Sequence, residues 1–159
     1  MHLWERQNWK TIYAGKDVRR GLRVRYAPDV DPDVKASIGR FVTWIRQRYE
    51  FPMRVVMYVK SEECICVRDG MHVCGTFFRP YDPFAEPYVK VATGCFRKNK
   101  EKWGRDGALT IILYAVAHEL SHYYQWLNGL EQTLRGEEYQ ASLYASKMVD
   151  DYAWYVDHP

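Results

Sequence analysis

A short motif in the second half of the 159-residue sequence combines two histidines with a glutamate. The run His118-Glu119-Leu120-Ser121-His122 reads HExxH. Residues four apart on a helix have Cβ atoms about 6 Å apart, so both imidazoles can bind one ion. Glu119 stands beside the first ligand, where a carboxylate can take a proton from zinc-bound water. The spacing therefore predicts a catalytic zinc ion with two ligands and a base.

The surroundings of the motif favour zinc over an accidental match on a surface helix. Apolar residues occur nearly all round the helical pattern from Leu109 to Leu120. The histidines and the glutamate would therefore lie in a mostly buried segment, where unpaired ionisable groups are costly. A metal ion would give these side chains a partner.

A catalytic zinc site has a third protein ligand and leaves its fourth position to water. The metzincin pattern would need Gly and His where this sequence has Gln125 and Asn128, so that class is excluded. Asn128 and Gly129 end the helix and reverse the chain. We therefore expect the third ligand on the helix that follows.

Two adjacent glutamates on that following helix are the candidates for the third ligand. Glu138 shares one helical stripe with Ala141 and Ala145, and these small residues allow a close approach to the zinc helix. We therefore expect Glu138 to face the two histidines. Glu137 is expected to point outward and to favour the positive end of the helix.

The run from His118 to Gln125, followed sixteen residues after His122 by Glu138-Tyr-Gln-Ala, resembles the gluzincin metallopeptidases. It is most similar to their single-domain members, the minigluzincins. The resemblance extends over residues 32–155, about three quarters of the chain. It implies peptide-bond hydrolysis with zinc held by His118, His122 and Glu138, and with Glu119 as general base and acid.

Two features of the resemblance leave side-chain roles open. Many gluzincins have Asp four residues after the ligand glutamate, hydrogen-bonded to a zinc histidine, where this sequence has Ser142. Either Ser142 or a backbone carbonyl is expected to hold the ring. The donor to a transition-state oxyanion is not determined among Tyr123, Tyr139 and Tyr144.

The hydrophobic pattern predicts a single α+β, zincin-like domain over residues 1–159. We expect a strand at 21–26 and a helix at 32–50. Antiparallel strands follow at 54–60, 64–68, 71–78 and 88–93, and a proline-rich loop at 79–87. The zinc helix should begin near residue 106 and the glutamate helix should cover 133–155. Arg97, Lys98, Lys100 and Lys102 are expected to lie in a solvated loop.

The strand at 88–93 is the last before the zinc helix, and the gluzincin resemblance places the substrate-binding edge strand near there. We expect an extended peptide to pair with this strand through main-chain hydrogen bonds. Val89, Val91 and Ala92 are the predicted substrate-binding residues.

The C-terminal tail, residues 153–159, is predicted to be extended, because Asp150 and Asp151 are unfavourable near a helix C-terminus. The apolar group Trp154-Tyr155-Val156 could fill substrate pockets, and Asp157, His158 or the terminal carboxylate could take the open zinc position. Minigluzincins are described as latent, with the C-terminal segment blocking the cleft. The hypothesis is a self-inhibited zymogen; the alternative is a frayed terminus packed on the domain.

The four cysteines, Cys64, Cys66, Cys74 and Cys95, lack the paired CxxC spacing of a structural zinc site. An Asp69-Gly70 hairpin turn would pair Ile65 with Cys74. Cys64 and Cys66 would then lie on the opposite face of the hairpin from Cys74. We therefore predict buried thiols rather than a second metal site.

Composition and charge indicate which classes of partner to expect. The longest apolar run, residues 111–117, is too short to span a membrane, and the N-terminus lacks a signal-peptide pattern. We therefore expect a cytoplasmic protein with no membrane partner. A net charge of +3 is too small to indicate a nucleic-acid partner. Two alternatives remain: an SprT-like protease acting on DNA-bound proteins, supported by the basic residues 97–102, and an inactive, zinc-stabilised binding module.

Overall fold

A computed structural model describes residues 1–66 and 72–159. Its four-stranded β-sheet is mixed rather than antiparallel. The described elements are, in chain order, a 3-10 helix Leu3–Glu5, α1 Trp9–Ile12, β1 Leu22–Tyr26, α2 Pro32–Arg48, β2 Val55–Lys60, β3 Ile65–Cys66, β4 His72–Val73, β5 Gly75–Phe78, β6 Tyr88–Ala92, α3 Phe96–Leu127 and α4 Leu134–Asp157. The α+β class is confirmed.

The main sheet has the strand order β1-β2-β6-β5. β1 pairs with β2 and β2 with β6 in parallel, and only β5 runs antiparallel to β6. The predicted antiparallel sheet is therefore wrong. Parallel neighbours need a crossover connection, which α2 provides between β1 and β2.

Helix α2 begins at the predicted residue 32, because its N-terminal signals are local, and it ends two residues before the predicted limit of 50. The Asp31 side chain accepts a hydrogen bond of 2.8 Å from the Asp33 amide, and Pro32 occupies the first turn.

The predicted loop at 79–87 is also confirmed, since it contains no helix or strand.

Helix α3 contains a kink at Gly104, whose φ of 81° and ψ of 169° are not helical. Glycine accepts this positive φ without the steric cost of a Cβ. The part after the kink agrees with the predicted start near residue 106. The part before it is helical, so the loop predicted for Arg97, Lys98, Lys100 and Lys102 is wrong.

Helix α4 continues through Asp157, so the extended tail predicted for residues 153–159 is wrong. The Tyr155 ring lies 6.2 Å from the Trp44 ring of α2, and Tyr152 lies 5.3 Å from the same ring. These aromatic contacts stabilise the last turns in spite of the unfavourable charges of Asp150 and Asp151.

The core lies between the sheet and helices α2 and α3. Val55, Met57 and Val59 of β2 are buried on one face, together with Val89 and Val91 of β6. Helix α3 contacts β5 and β6, and α4 packs along α3. In the described part of the chain, no helix has the length and apolarity needed to cross a membrane.

The cysteine hairpin has a different register from the one predicted. Ile65 pairs with Val73 rather than with Cys74. The predicted Asp69-Gly70 turn lies outside the described residues. Cys74 is exposed, and Cys64 and Cys95 are partly exposed, so the burial predicted for these three thiols is wrong.

Candidate metal centre

The three predicted ligands, His118, His122 and Glu138, converge at one point between α3 and α4. The Nε2 atoms of His118 and His122 lie 3.1 and 3.0 Å from the two carboxylate oxygens of Glu138. One nitrogen or oxygen atom from each residue lies within 4.8 Å of the others. Two imidazoles and a carboxylate at such distances can surround a single ion.

The packing of α4 on α3 brings Glu138 to the histidines. Ala141, Ala145 and Met148 are completely buried, as expected for a stripe that contacts α3. Gly129, with a φ of 62°, allows the chain to reverse after α3. The Thr133 side chain then caps α4 by accepting a hydrogen bond from the Gly136 amide.

Gln125 holds the ring of His122. The Gln125 amide nitrogen donates 3.0 Å hydrogen bonds to the Glu137 carbonyl and to Gln140 Oε1. These two acceptors orient the amide so that Gln125 Oε1 lies 2.8 Å from His122 Nδ1. Nδ1 must then be the protonated nitrogen, which leaves the Nε2 lone pair for a metal ion.

We expect a Gln125→Ala protein to bind zinc about 10–100 times more weakly, because the His122 ring would lose the acceptor that orients it. Titration with a competing chelator measures the affinity. Gln132→Ala is the matched control, since exposed Gln132 contacts Gln140 but neither histidine. Equal affinities of the native and Gln125→Ala proteins would contradict this role.

His118 is held less firmly than His122. Ser142 Oγ lies 3.5 Å from His118 Nδ1, at the limit of a hydrogen bond. Burial, followed by the neighbouring His122, lowers the pKa of His118, although Glu138 acts in the opposite direction. A lowered pKa keeps the imidazole neutral near pH 7, and only the neutral ring can bind a metal.

Glu119 is buried beside the ligand cluster, with 7% of its surface exposed. Burial, followed by the charge of Glu138, raises the pKa of Glu119 to about 8. A pKa near neutrality suits a group that must both accept and release a proton. A divalent cation nearby would favour its ionised form.

Gly75, the first residue of β5, lets Glu119 approach the sheet. A Cβ at this position would lie 2.9 Å from Glu119 Cγ and 3.2 Å from the Lys90 carbonyl oxygen. The first contact is too short for a real Cβ and the second is tight against a paired strand, so the Glu119 side chain would have to move. The missing side chain of Gly75 therefore leaves the space that the Glu119 side chain occupies.

A Gly75→Ala protein should bind zinc normally, and the peptide hydrolysis predicted from the sequence should be slowed roughly 10- to 100-fold, because small displacements of a general base are costly. The measurement is kcat/KM at equal zinc content. Gly39→Ala is the control, since its Cβ would meet only the Tyr26 hydroxyl at 3.9 Å. Full activity of the Gly75→Ala protein would show that Glu119 is not positioned by this contact.

The cluster opens into a cleft of about 920 Å³. The Glu138 side chain is 53% exposed toward this space. Glu137 also lines the cleft and is buried, with Oε1 2.8 Å from Arg79 Nη1. The outward orientation predicted for Glu137 is therefore wrong. The Glu137 side chain instead points into the cleft, where Arg79 is its ionic partner.

The strand beside the cleft is β5, not β6. β6 is paired with β2 on one side and β5 on the other, so it has no open edge for a peptide. Val89 and Val91 are completely buried, and Ala92 does not line the cleft. The substrate-binding role predicted for these three residues is therefore wrong. Cys74, Gly75, Thr76 and Phe77 line the cleft instead.

None of the three tyrosines considered as oxyanion donors lines the cleft. The buried Tyr123 hydroxyl is bonded to the backbone of Met53, and Tyr144 lies near the Met1 carbonyl. Tyr139 is exposed to solvent. Tyr114, one helical turn before His118, does line the cleft. The sequence analysis does not include it among the candidate tyrosines.

The C-terminal tail does not reach the cleft, so the predicted self-inhibition is wrong. Trp154 lies sixteen residues beyond Glu138 on the same helix, about 24 Å along its axis. Its ring stacks on His158 at 4.3 Å. None of the residues 153–159 lines the cleft.

The donor set fits zinc, because three protein ligands and an open fourth side are the arrangement of catalytic zinc sites. Gln125 presents the Nε2 lone pair of His122, and the cleft gives access to the open side. No protein-family model matches the sequence, and neither a curated protein nor a solved structure matches it.

Proposed function

We propose that the protein is a zinc-dependent metallopeptidase of the gluzincin type. His118, His122 and Glu138 hold the ion, and Glu119 is the general base. The observation that carries the proposal is the convergence of three ligand atoms within 4.8 Å, on the wall of an open cleft and next to a buried carboxylate. A structural zinc site would be closed by a fourth protein ligand.

The bound zinc ion would supply a Lewis acid that polarises the scissile carbonyl and makes a water molecule acidic. Glu119 takes the proton from this water and later donates it to the nitrogen of the leaving amine. The water oxygen becomes part of the new carboxyl group as the peptide C–N bond breaks. Gln125 keeps His122 in the tautomer that this arrangement needs.

The edge strand beside the cleft suits an extended peptide. β5 is at the edge of the described sheet, and its residues line the cleft next to Glu119. A peptide can add to such an edge through main-chain hydrogen bonds. Ile111 and Leu134 are exposed apolar side chains that also line the cleft, where they can contact the side chains of the substrate.

Metal analysis combined with digestion of a peptide library tests the proposal. We expect one zinc ion per chain, cleavage that stops when a chelator removes the metal, and recovery when zinc is restored. Cleavage that persists in metal-free protein would refute it. Zinc binding without any peptide hydrolysis would instead support the alternative of an inactive binding module.

A further inference from the structure

Arg79 follows β5 directly, and its side chain lies in the cleft. Its Nη1 donates a 2.8 Å hydrogen bond to Glu137 Oε1, while 42% of the Arg79 side chain remains exposed. The acidic side chains of Glu119, Glu137 and Glu138 also line this cleft. Among the described residues, Arg79 is the one lysine or arginine that does so.

Arg79 is fixed at two points, through the backbone of the next residue and through its own guanidinium. Pro80, the next residue, is buried, and its carbonyl accepts a 3.0 Å hydrogen bond from Trp126 Nε1. Glu137 lies in the first turn of α4, and its carbonyl is bonded to Gln125. Trp126 lies on α3 and Glu137 on α4, the two helices that carry the proposed metal ligands. Arg79 therefore presents its charge at a defined distance from the site of hydrolysis.

Most of the hydrogen-bonding capacity of Arg79 is not used by the protein. A guanidinium has five N–H groups, and its planar fork matches a carboxylate. Over residues 1–66 and 72–159, the hydrogen bond found for this side chain is the one to Glu137. An incoming carboxylate can use the remaining N–H groups without displacing Glu137.

We propose that Arg79 determines specificity by binding a carboxylate of the peptide substrate. This inference rests on the proposed peptidase function and adds a substrate class to it: peptides with an acidic group near the cleaved bond. Gly75 lies beside Glu119, and Arg79 is four residues further along the chain. Each extended residue spans about 3.3 Å, so Arg79 lies roughly 13 Å beyond Gly75. The carboxylate that Arg79 binds is therefore a few residues from the scissile bond.

Two sources of this carboxylate are distinguished by the choice of peptides. One series carries a single Glu, moved through the positions around the cleaved bond, with an amidated C-terminus; its partner series carries Gln instead. A second series has a neutral sequence and either a free or an amidated C-terminus. We expect the native protein to cleave the acidic member of at least one pair about tenfold faster, as judged by kcat/KM.

Substitutions separate this role from a purely structural ion pair. Arg79→Gln should reduce the acidic-to-neutral ratio of kcat/KM to about one, whereas Glu137→Gln, which frees the whole guanidinium charge, should keep or increase it. Arg19→Gln is the matched control, because Arg19 pairs with Glu86 and does not line the cleft. If the ion pair were purely structural, Arg79→Gln and Glu137→Gln would both change thermal stability. Neither would then alter the acidic-to-neutral ratio of kcat/KM, and that result would overturn the proposal.

A binding measurement keeps the inference testable if the peptidase function fails. Fluorescence anisotropy of the same labelled peptides on zinc-loaded Glu119→Gln protein, with and without Arg79→Gln, needs no turnover. Preferential binding of acidic peptides that depends on Arg79, without hydrolysis by the native protein, would uphold the inference and refute the peptidase. Equal kcat/KM and equal affinity for acidic and neutral peptides would overturn the role of Arg79.

Discussion

The Glu119→Gln protein is expected to bind one zinc ion and to hydrolyse peptides about 100 to 10,000 times more slowly than the native protein, the usual contribution of general acid–base catalysis. Glutamine has nearly the same shape as glutamate, so the buried site next to Gly75 can accept it. The amide cannot take up a proton. Activity should therefore be lost at the chemical step, in kcat.

Glu101→Gln is the matched control for this substitution, because Glu101 is an exposed glutamate on the same helix and does not line the cleft. Its zinc content and activity should equal those of the native protein. Substantial peptidase activity in zinc-loaded Glu119→Gln protein would contradict the assignment of Glu119 as the base. Loss of zinc from that protein would make its low activity uninformative, so zinc content and kcat are measured on one sample.

The second large effect is expected on zinc binding, when Glu138 and Glu137 are compared. Glu138→Ala removes one of the three proposed ligands, so its zinc affinity should fall further than the roughly 100-fold loss typical of an outer contact. Glu137→Ala leaves all three proposed ligands in place and removes the ion pair with Arg79. Competition with a chelator should therefore show a much smaller loss for Glu137→Ala.

Thermal unfolding gives an independent measurement of the same difference. A ligand that binds only the folded state at 100 times its dissociation constant adds about 2.7 kcal/mol of stability. Zinc should therefore raise the Tm of the native and Glu137→Ala proteins, and much less that of Glu138→Ala. Similar zinc-induced shifts in the two variants would show that Glu138 is not a ligand.

Several features of the site could be predicted because they depend on local spacing. His118 and His122 are one helical turn apart, so their side chains must lie on the same face of α3. Glu138 shares a stripe with Ala141 and Ala145 for the same reason, and their burial confirms that this stripe contacts α3. The hydrogen bond from His122 to Gln125 also follows helical spacing, at three residues, and could have been anticipated.

Features that depend on distant pairing could not be read in this way. The order of strands in a sheet is set by which strands meet in space, and hydrophobic alternation is the same for an edge strand and an interior one. The sequence therefore does not show that β6 is an interior strand or that Gly75 lies close to Glu119. The orientation of Glu137 likewise depends on Arg79, which is 58 residues away in the chain.

The sequence by itself determined the identity and spacing of the candidate metal ligands, the stripe that carries Glu138 and the limits of α2, because each depends on helical periodicity or on a capping residue nearby. The tertiary structure decided the strand order, the strand that borders the cleft and the course of the C-terminus. Charge at the end of α4 favours fraying, but packing of Tyr152 and Tyr155 against Trp44 outweighs it. Such packing energies arise between residues far apart in the chain, and no local pattern records them.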